Sequence, residues 1–291
     1  MKTSNDMIHP SDEKIKWMEY KSILYRLDIL NLIFESKSGH TGGSLSCVDI
    51  LNVLYNQAMN ITPENFLEID RDHYVHSKGH SVEALYVVLA DMNFFKKELL
   101  FEFEKYSSIM IGHPTRFVNG IEQNTGALGH GLSLAVGMAL AAKLDQRNNR
   151  VFTIMGDGEL TEGSIWEASV SAAHYGLDNL TAIIDRNRLQ ITGPTEEVMN
   201  MESLEKKFSA FGYAVRQVDG NSVTELASIL GSVPFESGKP NLILANTIKG
   251  KGISYMENNP IWHHRVPSDS EYQLALKELN QAKLAWEQNN G

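Results

Sequence analysis

The sequence of 291 residues lacks the features of a secreted or membrane-bound protein. It contains a single cysteine, Cys47, so no disulfide can form within the chain, as is typical of a reducing compartment. The polar N-terminus, MKTSNDMIHPSDEK, has no apolar signal-peptide core. No window approaches the roughly 18 uninterrupted apolar residues that a membrane span requires. We therefore expect a cytoplasmic protein with no membrane partner.

The chain also lacks an excess of basic residues. Lysine and arginine total 26 against 36 aspartates and glutamates, which gives a formal net charge of −10. Nucleic acids and anionic membranes both favour a basic surface, so we expect no nucleic-acid partner. An anionic small ligand would need a local site built from backbone amides, histidines and a metal ion.

The second half of the chain alternates strand-like and helix-like segments. Apolar runs predict strands at 151–155, 180–185, 213–218 and 241–247, with helices at 162–175, 202–211 and 222–231 between them. Near-continuous apolar strands alternating with helices indicate a parallel sheet covered on both faces. No linker, low-complexity tract or internal repeat interrupts the chain. We predict one α/β domain over 1–291, with a doubly wound, mainly parallel sheet.

The first half carries two glycine-rich segments that we predict to be loops. SGHTGGSLS, at 38–46, is expected to precede a helix capped by Ser46. The span 110–131 has no clear period and many glycines. Loops of this length within compact domains are usually functional or disordered. Between these two segments, HYVHSKGH predicts a short strand that leads into a helix at 81–92.

Gly156, Asp157 and Gly158 follow a predicted strand and precede a helix. Ligands of wound sheets bind at the carboxyl ends of the strands, and glycine amides at a helix N-terminus suit a phosphate. Asp157 would repel that phosphate unless a cation lay between them. Magnesium suits such a position, since it takes a few protein oxygens and completes its shell with phosphate and water. Taken alone, the three residues fit a surface turn with a capping aspartate equally well.

Asn187 lies thirty positions after Asp157, one strand–helix–strand unit further along the chain. That separation can bring both residues to the same edge of neighbouring strands. The amide oxygen of Asn187 and the backbone carbonyl of Leu189 would add two neutral ligands. An asparagine after a strand is by itself most often a turn residue. Together with Gly-Asp-Gly, however, it resembles the signature of thiamine diphosphate bound through Mg²⁺.

Seven segments together resemble the N-terminal part of transketolases. They are SGHTGGSLS (38–46), SKGH (77–80), GHP (112–114), GALGHGLSLAVGMA (126–139), GDGELTEGSIWEA (156–168), DRNRLQITG (185–193) and TIKGKGISYMEN followed by WHH (247–264). The resemblance implies a thiamine diphosphate-binding fold, specifically the diphosphate-binding module. It also implies a transferase that moves a two-carbon ketol unit from a ketose, expected to be phosphorylated, to an aldose.

Transketolases also carry a pyrimidine-binding domain and a C-terminal domain, and neither is expected within 1–291. The chain therefore resembles the N-terminal half of a split transketolase. The resemblance implies that the partner is a separate pyrimidine-binding subunit, in an α2β2 heterotetramer with its active sites at interfaces. The glutamate that activates the aminopyrimidine would then lie on the partner, so we expect the chain alone to be inactive.

The resemblance implies roles for individual residues. Asp157, Asn187 and the carbonyl of Leu189 match the metal ligands. The residues that match cofactor contacts are His80, Gly126, Leu128, Gly156, Gly158, Glu159, Ile191 and His263. His40 and His113, with His263, match histidines that face the donor sugar, and Glu162 matches an acid at the subunit interface. A lone loop histidine is usually not catalytic, but the shared Gly-His contexts of His40, His80 and His113 favour a collective function.

Three positions depart from the family pattern. Thr41 stands where many relatives have proline, His130 where glutamine is common, and His264 where glycine commonly follows the channel histidine. These departures leave the donor and acceptor sugars open. Pentose phosphates are the default, and sulfonated or branched sugars are the alternative.

Four other interpretations fit the sequence less well. A ketoacid dehydrogenase α-subunit would lack the SGHTGGS and SKGH segments, and a deoxyxylulose-phosphate-type synthase is a single long chain. A non-catalytic paralogue would be expected to lose Asp157, Asn187 or the loop histidines, all of which are present. A Rossmann dehydrogenase would show Gly-x-Gly-x-x-Gly after a strand near the N-terminus, and the sequence has none there.

Overall fold

A computed structural model describes residues 10–290, so most of the polar N-terminal stretch lies outside the described residues. The strands are β1 (His73–His76), β2 (Val151–Gly156), β3 (Leu180–Arg186), β4 (Ala214–Asp219) and β5 (Asn241–Asn246). The α-helices are α1 (Asp12–Ser36), α2 (Thr41–Val53), α3 (Val82–Asp91), α4 (His130–Leu144), α5 (Gly163–His174), α6 (Thr195–Val198), α7 (Leu204–Phe211), α8 (Val223–Leu230) and α9 (Asp269–Asn290).

The five strands form one sheet in the order β1-β2-β3-β5-β4, and every neighbouring pair is parallel. Gly156 at the end of β2 is in register with Asp185 of β3. The residues that follow these two strands therefore leave the same edge of the sheet side by side. The predicted parallel α/β sheet is confirmed.

A hydrophobic core lies on each face of the sheet. Phe152 and Ile154 of β2 join the core that includes α1, α2, α3 and α8. Val151 and Met155 of the same strand join the core that includes α4, α5 and α7. Both faces of β2 are thus buried, which explains why its sequence is a continuous apolar run rather than an alternating one.

The predicted loop at 38–46 is wrong in its second half, because α2 begins at Thr41. A side chain at Gly42 would come within 2.8 Å of the Trp262 carbonyl oxygen, so the close packing of this helix requires glycine there. Every residue of α2 is buried, and this tertiary packing overrides the poor helix propensity of glycine. Ser46 therefore lies inside the helix rather than at its start. Its hydroxyl donates to Asp185 Oδ2 at 2.6 Å.

The long glycine-rich segment is largely the loop that its sequence predicts. No α-helix or strand occurs between 110 and 129, and α4 begins at His130. Across the described span 10–290, none of the helices has the length and apolar character that crossing a membrane demands.

Candidate active site

Asp157 follows β2 directly, and its carboxylate is held by two backbone amides. Oδ1 accepts from the Gly158 amide at 2.8 Å, and Oδ2 accepts from the Arg188 amide at 2.5 Å. The second bond connects the end of β2 to the residue after Asn187. The two predicted metal-binding side chains are thereby brought to the same edge of the sheet, with Asp157 only 6% exposed.

Asn187 follows β3, and its side-chain amide is oriented by neighbours. Its Nδ2 donates to Ser46 Oγ and to Asp185 Oδ2, both at 3.3 Å, and its Oδ1 accepts from the Leu189 amide at 3.2 Å. The carbonyl of Leu189 accepts from Lys249 Nζ at 3.2 Å. Each of the three predicted metal ligands is therefore held in place by hydrogen bonds to this edge of the sheet.

The electrostatics of this edge favour a cation and an anion together. Burial, followed by the nearby Asp185 carboxylate, raises the pKa of Asp157 to about 6. Burial and then the positive charge of Lys78 lower the pKa of Lys249 to about 8. Burial by itself would lower the pKa of Lys78, but the ion pair that Lys78 forms with Asp185 outweighs this effect and raises that pKa. A bound metal ion would compensate the buried negative charge of Asp157, and a bound diphosphate would compensate the neighbouring positive charges of Lys78 and Lys249.

The donor set at this edge fits magnesium better than a metal held by protein side chains alone. Among residues 10–290, no three histidine, cysteine, aspartate or glutamate side chains converge on a metal-sized site. A cation here would instead take oxygens from Asp157, Asn187 and the Leu189 carbonyl, with the rest from a phosphate and water. That mixture of few protein oxygens and several ligand oxygens is characteristic of Mg²⁺.

Four predicted histidines meet above the sheet edge. The ring of His40 lies 5.3 Å from that of His80, 6.4 Å from that of His113 and 5.7 Å from that of His263, centroid to centroid. The rings of His80 and His263 stack at 5.4 Å. Lys249 Nζ lies 2.8 Å from His263 Nδ1, which joins this histidine cluster to the Leu189 carbonyl.

The cluster contains neutral imidazoles at physiological pH. Burial, followed by the adjacent imidazoles, lowers the pKa of His40 to about 3. Burial and then Lys249 lower the pKa of His263 to about 3, and burial with Lys78 lowers the pKa of His80 well below its ordinary value. Neutral imidazoles can both donate and accept hydrogen bonds, as polyhydroxylated ligands require.

Glu159 is buried and bonded to the protein on both carboxylate oxygens. Oε1 accepts from the Ser77 hydroxyl and, at 2.8 Å, from the Gly129 amide, while Oε2 accepts from the Gly156 amide at 3.0 Å. The structure thus uses the predicted cofactor residue Glu159 to tie the strand end at Gly156 to the loop before α4.

The remaining predicted residues lie in the segments before α4 and α5 and in the turn after β3. Gly126 has a φ of +141°, and a side chain there would reach 2.8 Å from the His113 ring, so this close approach requires glycine. Leu128 is half-buried, and Ile191 is 70% exposed in the turn after β3. Glu162 is exposed just before α5.

Several residues of the site were missed by sequence reasoning. Lys78, Asp185 and Lys249 are each buried, with exposures of 1%, 0% and 2%. All three lie inside segments that resemble transketolases, and Asp185 also follows the apolar run of β3, which was a further signal for that residue. Glu83 was also missed, although it accepts from the His40 amide at 2.8 Å.

Comparison with known proteins decides between the interpretations left open by this geometry. The family described as "Transketolase, thiamine diphosphate binding domain" matches residues 22–286. The chain belongs to the transketolase family. This assignment favours the transketolase interpretation over the dehydrogenase and synthase alternatives.

Transketolase relatives of similar length are themselves single subunits of larger enzymes. The chain is 45% identical over 280 residues to a subunit of the apulose-4-phosphate transketolase from Phocaeicola vulgatus, covering 96% of this chain and 99% of that protein. It is 40% identical over 270 residues to "6-deoxy-6-sulfo-D-fructose transketolase subunit SqwG" from Clostridium sp., covering 92% and 98%. The predicted resemblance to one subunit of a split transketolase is confirmed.

A solved transketolase shares the fold but is much longer. The transketolase of Campylobacter jejuni superposes with a TM-score of 0.80 at 27% identity, covering 96% of this chain. The matched part is 48% of that longer transketolase, so this chain spans about half its length.

Proposed function

We propose that this chain is the diphosphate-binding subunit of a transketolase that uses thiamine diphosphate and Mg²⁺. The supporting observation is the sheet edge where Asp157 and Asn187 meet the buried lysines. Asp157, Asn187 and the Leu189 carbonyl would hold the metal, and the Gly158 amide would face the diphosphate. His80 and His263 would line the diphosphate, with Lys249 between them and the metal ligands.

The chemistry would be divided between cofactor and protein. When bound, thiamine diphosphate supplies a nucleophilic carbon and an electron sink for carbon–carbon cleavage. His40, His113 and His263 would bind hydroxyls of the donor ketose and move protons to and from them. The low pKa of His40 and the low pKa of His263 keep both imidazoles neutral in the physiological range, so each ring can donate one hydrogen bond and accept another.

The reaction is transfer of a two-carbon ketol unit from a ketose to an aldose. The names of the two relatives specify apulose-4-phosphate and 6-deoxy-6-sulfo-D-fructose, and both of these sugars carry an anionic group. We propose that the donor substrate of this chain is also an anionic ketose, and that it is an unusual sugar rather than a common pentose phosphate. The enzyme would act in the cytoplasm.

The second half of the active site would come from a separate pyrimidine-binding subunit. Support comes from relatives whose names describe them as transketolase subunits and from the longer transketolase, of which this chain matches only 48%. We propose an α2β2 assembly in which Glu162 contacts the neighbouring subunit. Gly126 and Leu128 would contact the aminopyrimidine and thiazolium, and Ile191 would provide an apolar wall for the cofactor.

The test is reconstitution with the pyrimidine-binding subunit encoded in the same genome. Ketol transfer from a panel of phosphorylated and sulfonated ketoses would be measured with Mg²⁺ and thiamine diphosphate present. We expect activity only when both chains are mixed, rising until they are equimolar. Full activity of this chain alone would contradict the shared site. A mixture that consumes no ketose would contradict transketolase function.

A further inference from the structure

His264 adds a fifth imidazole to the histidine cluster, on its open side. Its ring lies 4.4 Å from the ring of His40, closer than the three predicted partners of His40. His40 is partly buried, whereas His264 is exposed. A sugar that reaches His40 from this side must therefore pass the His264 side chain.

The backbone on both sides of His264 is fixed. Trp262 is only 1% exposed and anchors the preceding turn in the core. The Thr41 hydroxyl donates to the Arg265 carbonyl at 2.8 Å, which ties the following residue to the start of α2. The Arg265 side chain is directed elsewhere, because its guanidinium stacks on Trp262 at 4.6 Å and pairs with Glu271 at 2.7 Å. His264 is thus held beside His40 because Trp262 before it and Arg265 after it are both anchored.

The arrangement requires the side chains of both Thr41 and His264. Proline at position 41 has no hydroxyl and could not hold the Arg265 carbonyl. Glycine at position 264 has no ring to place beside His40. The two residues therefore form one arrangement: a threonine clamp and an imidazole at the entrance to the donor site.

We propose that His264, positioned by Thr41, determines which ketose the enzyme accepts. The ring fills the side of the entrance next to His40, so it selects a compact anionic ketose of five carbons, straight or branched, over a six-carbon ketose. It also offers a hydrogen bond to a hydroxyl or anionic group beyond the reach of His40. This inference rests on the proposed ketol transfer and specifies its donor.

The test compares ketoses in the complex reconstituted with the partner subunit. kcat/KM would be measured for five-carbon and six-carbon phosphorylated or sulfonated ketoses with wild type and His264→Gly. We expect the five- to six-carbon ratio to fall about tenfold in the variant, the scale of discrimination that one pocket group provides. Much of the change should come from KM of the six-carbon donor. A ratio within twofold of wild type would overturn the proposal.

The clamp is tested by a matched pair at position 41. Thr41→Val keeps the shape but loses the hydroxyl, whereas Thr41→Ser keeps the donor. We expect Thr41→Val to shift the ratio in the same direction as His264→Gly and Thr41→Ser to retain the wild-type ratio. Equal five- to six-carbon ratios of kcat/KM in Thr41→Val and Thr41→Ser would overturn the positioning role of the Thr41 hydroxyl. If the wild-type complex consumes no ketose at all, the proposed ketol transfer itself fails, which is a separate outcome.

Discussion

Glu83 shows how a buried acid positions a residue of the site. Its side chain is completely buried, and it accepts from the His40 amide at 2.8 Å and the Ser44 hydroxyl at 2.7 Å. Burial raises the pKa of Glu83 from 4.5 to about 7. Folded protein therefore retains this proton over a range in which unfolded protein has already lost it.

Glu83→Gln should change how stability depends on pH. Because the folded-state pKa is raised, wild type loses stability as pH rises from 4.5 through about 7, and the variant lacks this loss. The difference between the two pKa values corresponds to about 3 kcal/mol. At a pH well above the folded-state pKa, the free energy of unfolding of the variant should therefore have gained up to this amount relative to wild type. Urea unfolding across that range measures it.

The control for this prediction is an exposed glutamate. Glu98 lies at the surface, so Glu98→Gln should follow the wild-type pH dependence. A Glu83→Gln curve parallel to wild type across the whole interval would show that this carboxyl does not titrate as its burial requires.

At the scale of elements, close packing places the start of α4 against the SKGH turn. A side chain at Gly131 would overlap Ser77, whereas one at Gly137 on the same helix would meet no atom within 4 Å. Gly131→Ala should therefore lower the free energy of unfolding by about 1–3 kcal/mol through overpacking. Gly137→Ala should raise it by about 0.5–1 kcal/mol through helix propensity.

Chemical denaturation of the two alanine variants measures this difference. Since the substitution and the helix are the same, only the surroundings of the two glycines differ. Equal effects on the free energy of unfolding would mean that α4 does not approach the Ser77 turn as closely as the structure shows.

Strands were predicted better than the site's supporting elements, for a physical reason. The apolar runs of β2, β3 and β5 reflect burial on both faces, which is visible in the sequence alone. The start of α2 was missed because Gly42 and Gly43 normally disfavour helix, and only packing against Trp262 and His80 explains them. The polar helix α9 was not predicted either, and its buried residues are few.

The histidines of the site were easier to anticipate than its lysines. Repeated Gly-His contexts marked His40, His80 and His113 in the sequence, and the structure brings all three together. The pairing of Lys78 with Asp185 joins residues 107 positions apart. Such a pairing is determined by the register of β2 and β3 and by the turn after β1. It cannot be predicted from the residues next to Lys78 or Asp185 in the sequence.

At the scale of the whole molecule, the outer surface of α4 and α5 is suited to an interface. Gly137 and Gly163 are exposed and have open space around them. Val170 and Leu144 are 53% and 73% exposed. Small residues and exposed apolar side chains together allow a second subunit to pack closely against this surface.

Val170→Asp should weaken the proposed α2β2 assembly, because it places a charge at that surface. We expect analytical ultracentrifugation of the mixed chains to show a smaller species than wild type forms. Leu284→Asp on α9 is the matched control, with a side chain 55% exposed in wild type. Unchanged sedimentation of Val170→Asp, or an equal shift in Leu284→Asp, would exclude this surface as the interface.

Calorimetric titration of thiamine diphosphate into the reconstituted complex, with and without Mg²⁺, tests directly whether a metal ion bridges Asp157 and the diphosphate. Asp157→Asn removes the negative charge that the metal needs but preserves size, and Asp145→Asn, beyond the end of α4, serves as control. We expect Mg²⁺-dependent binding that Asp157→Asn weakens by at least about 100-fold and Asp145→Asn leaves intact. An affinity for thiamine diphosphate that is the same with and without Mg²⁺, or the same in Asp157→Asn as in wild type, would contradict a metal-bridged diphosphate at this sheet edge.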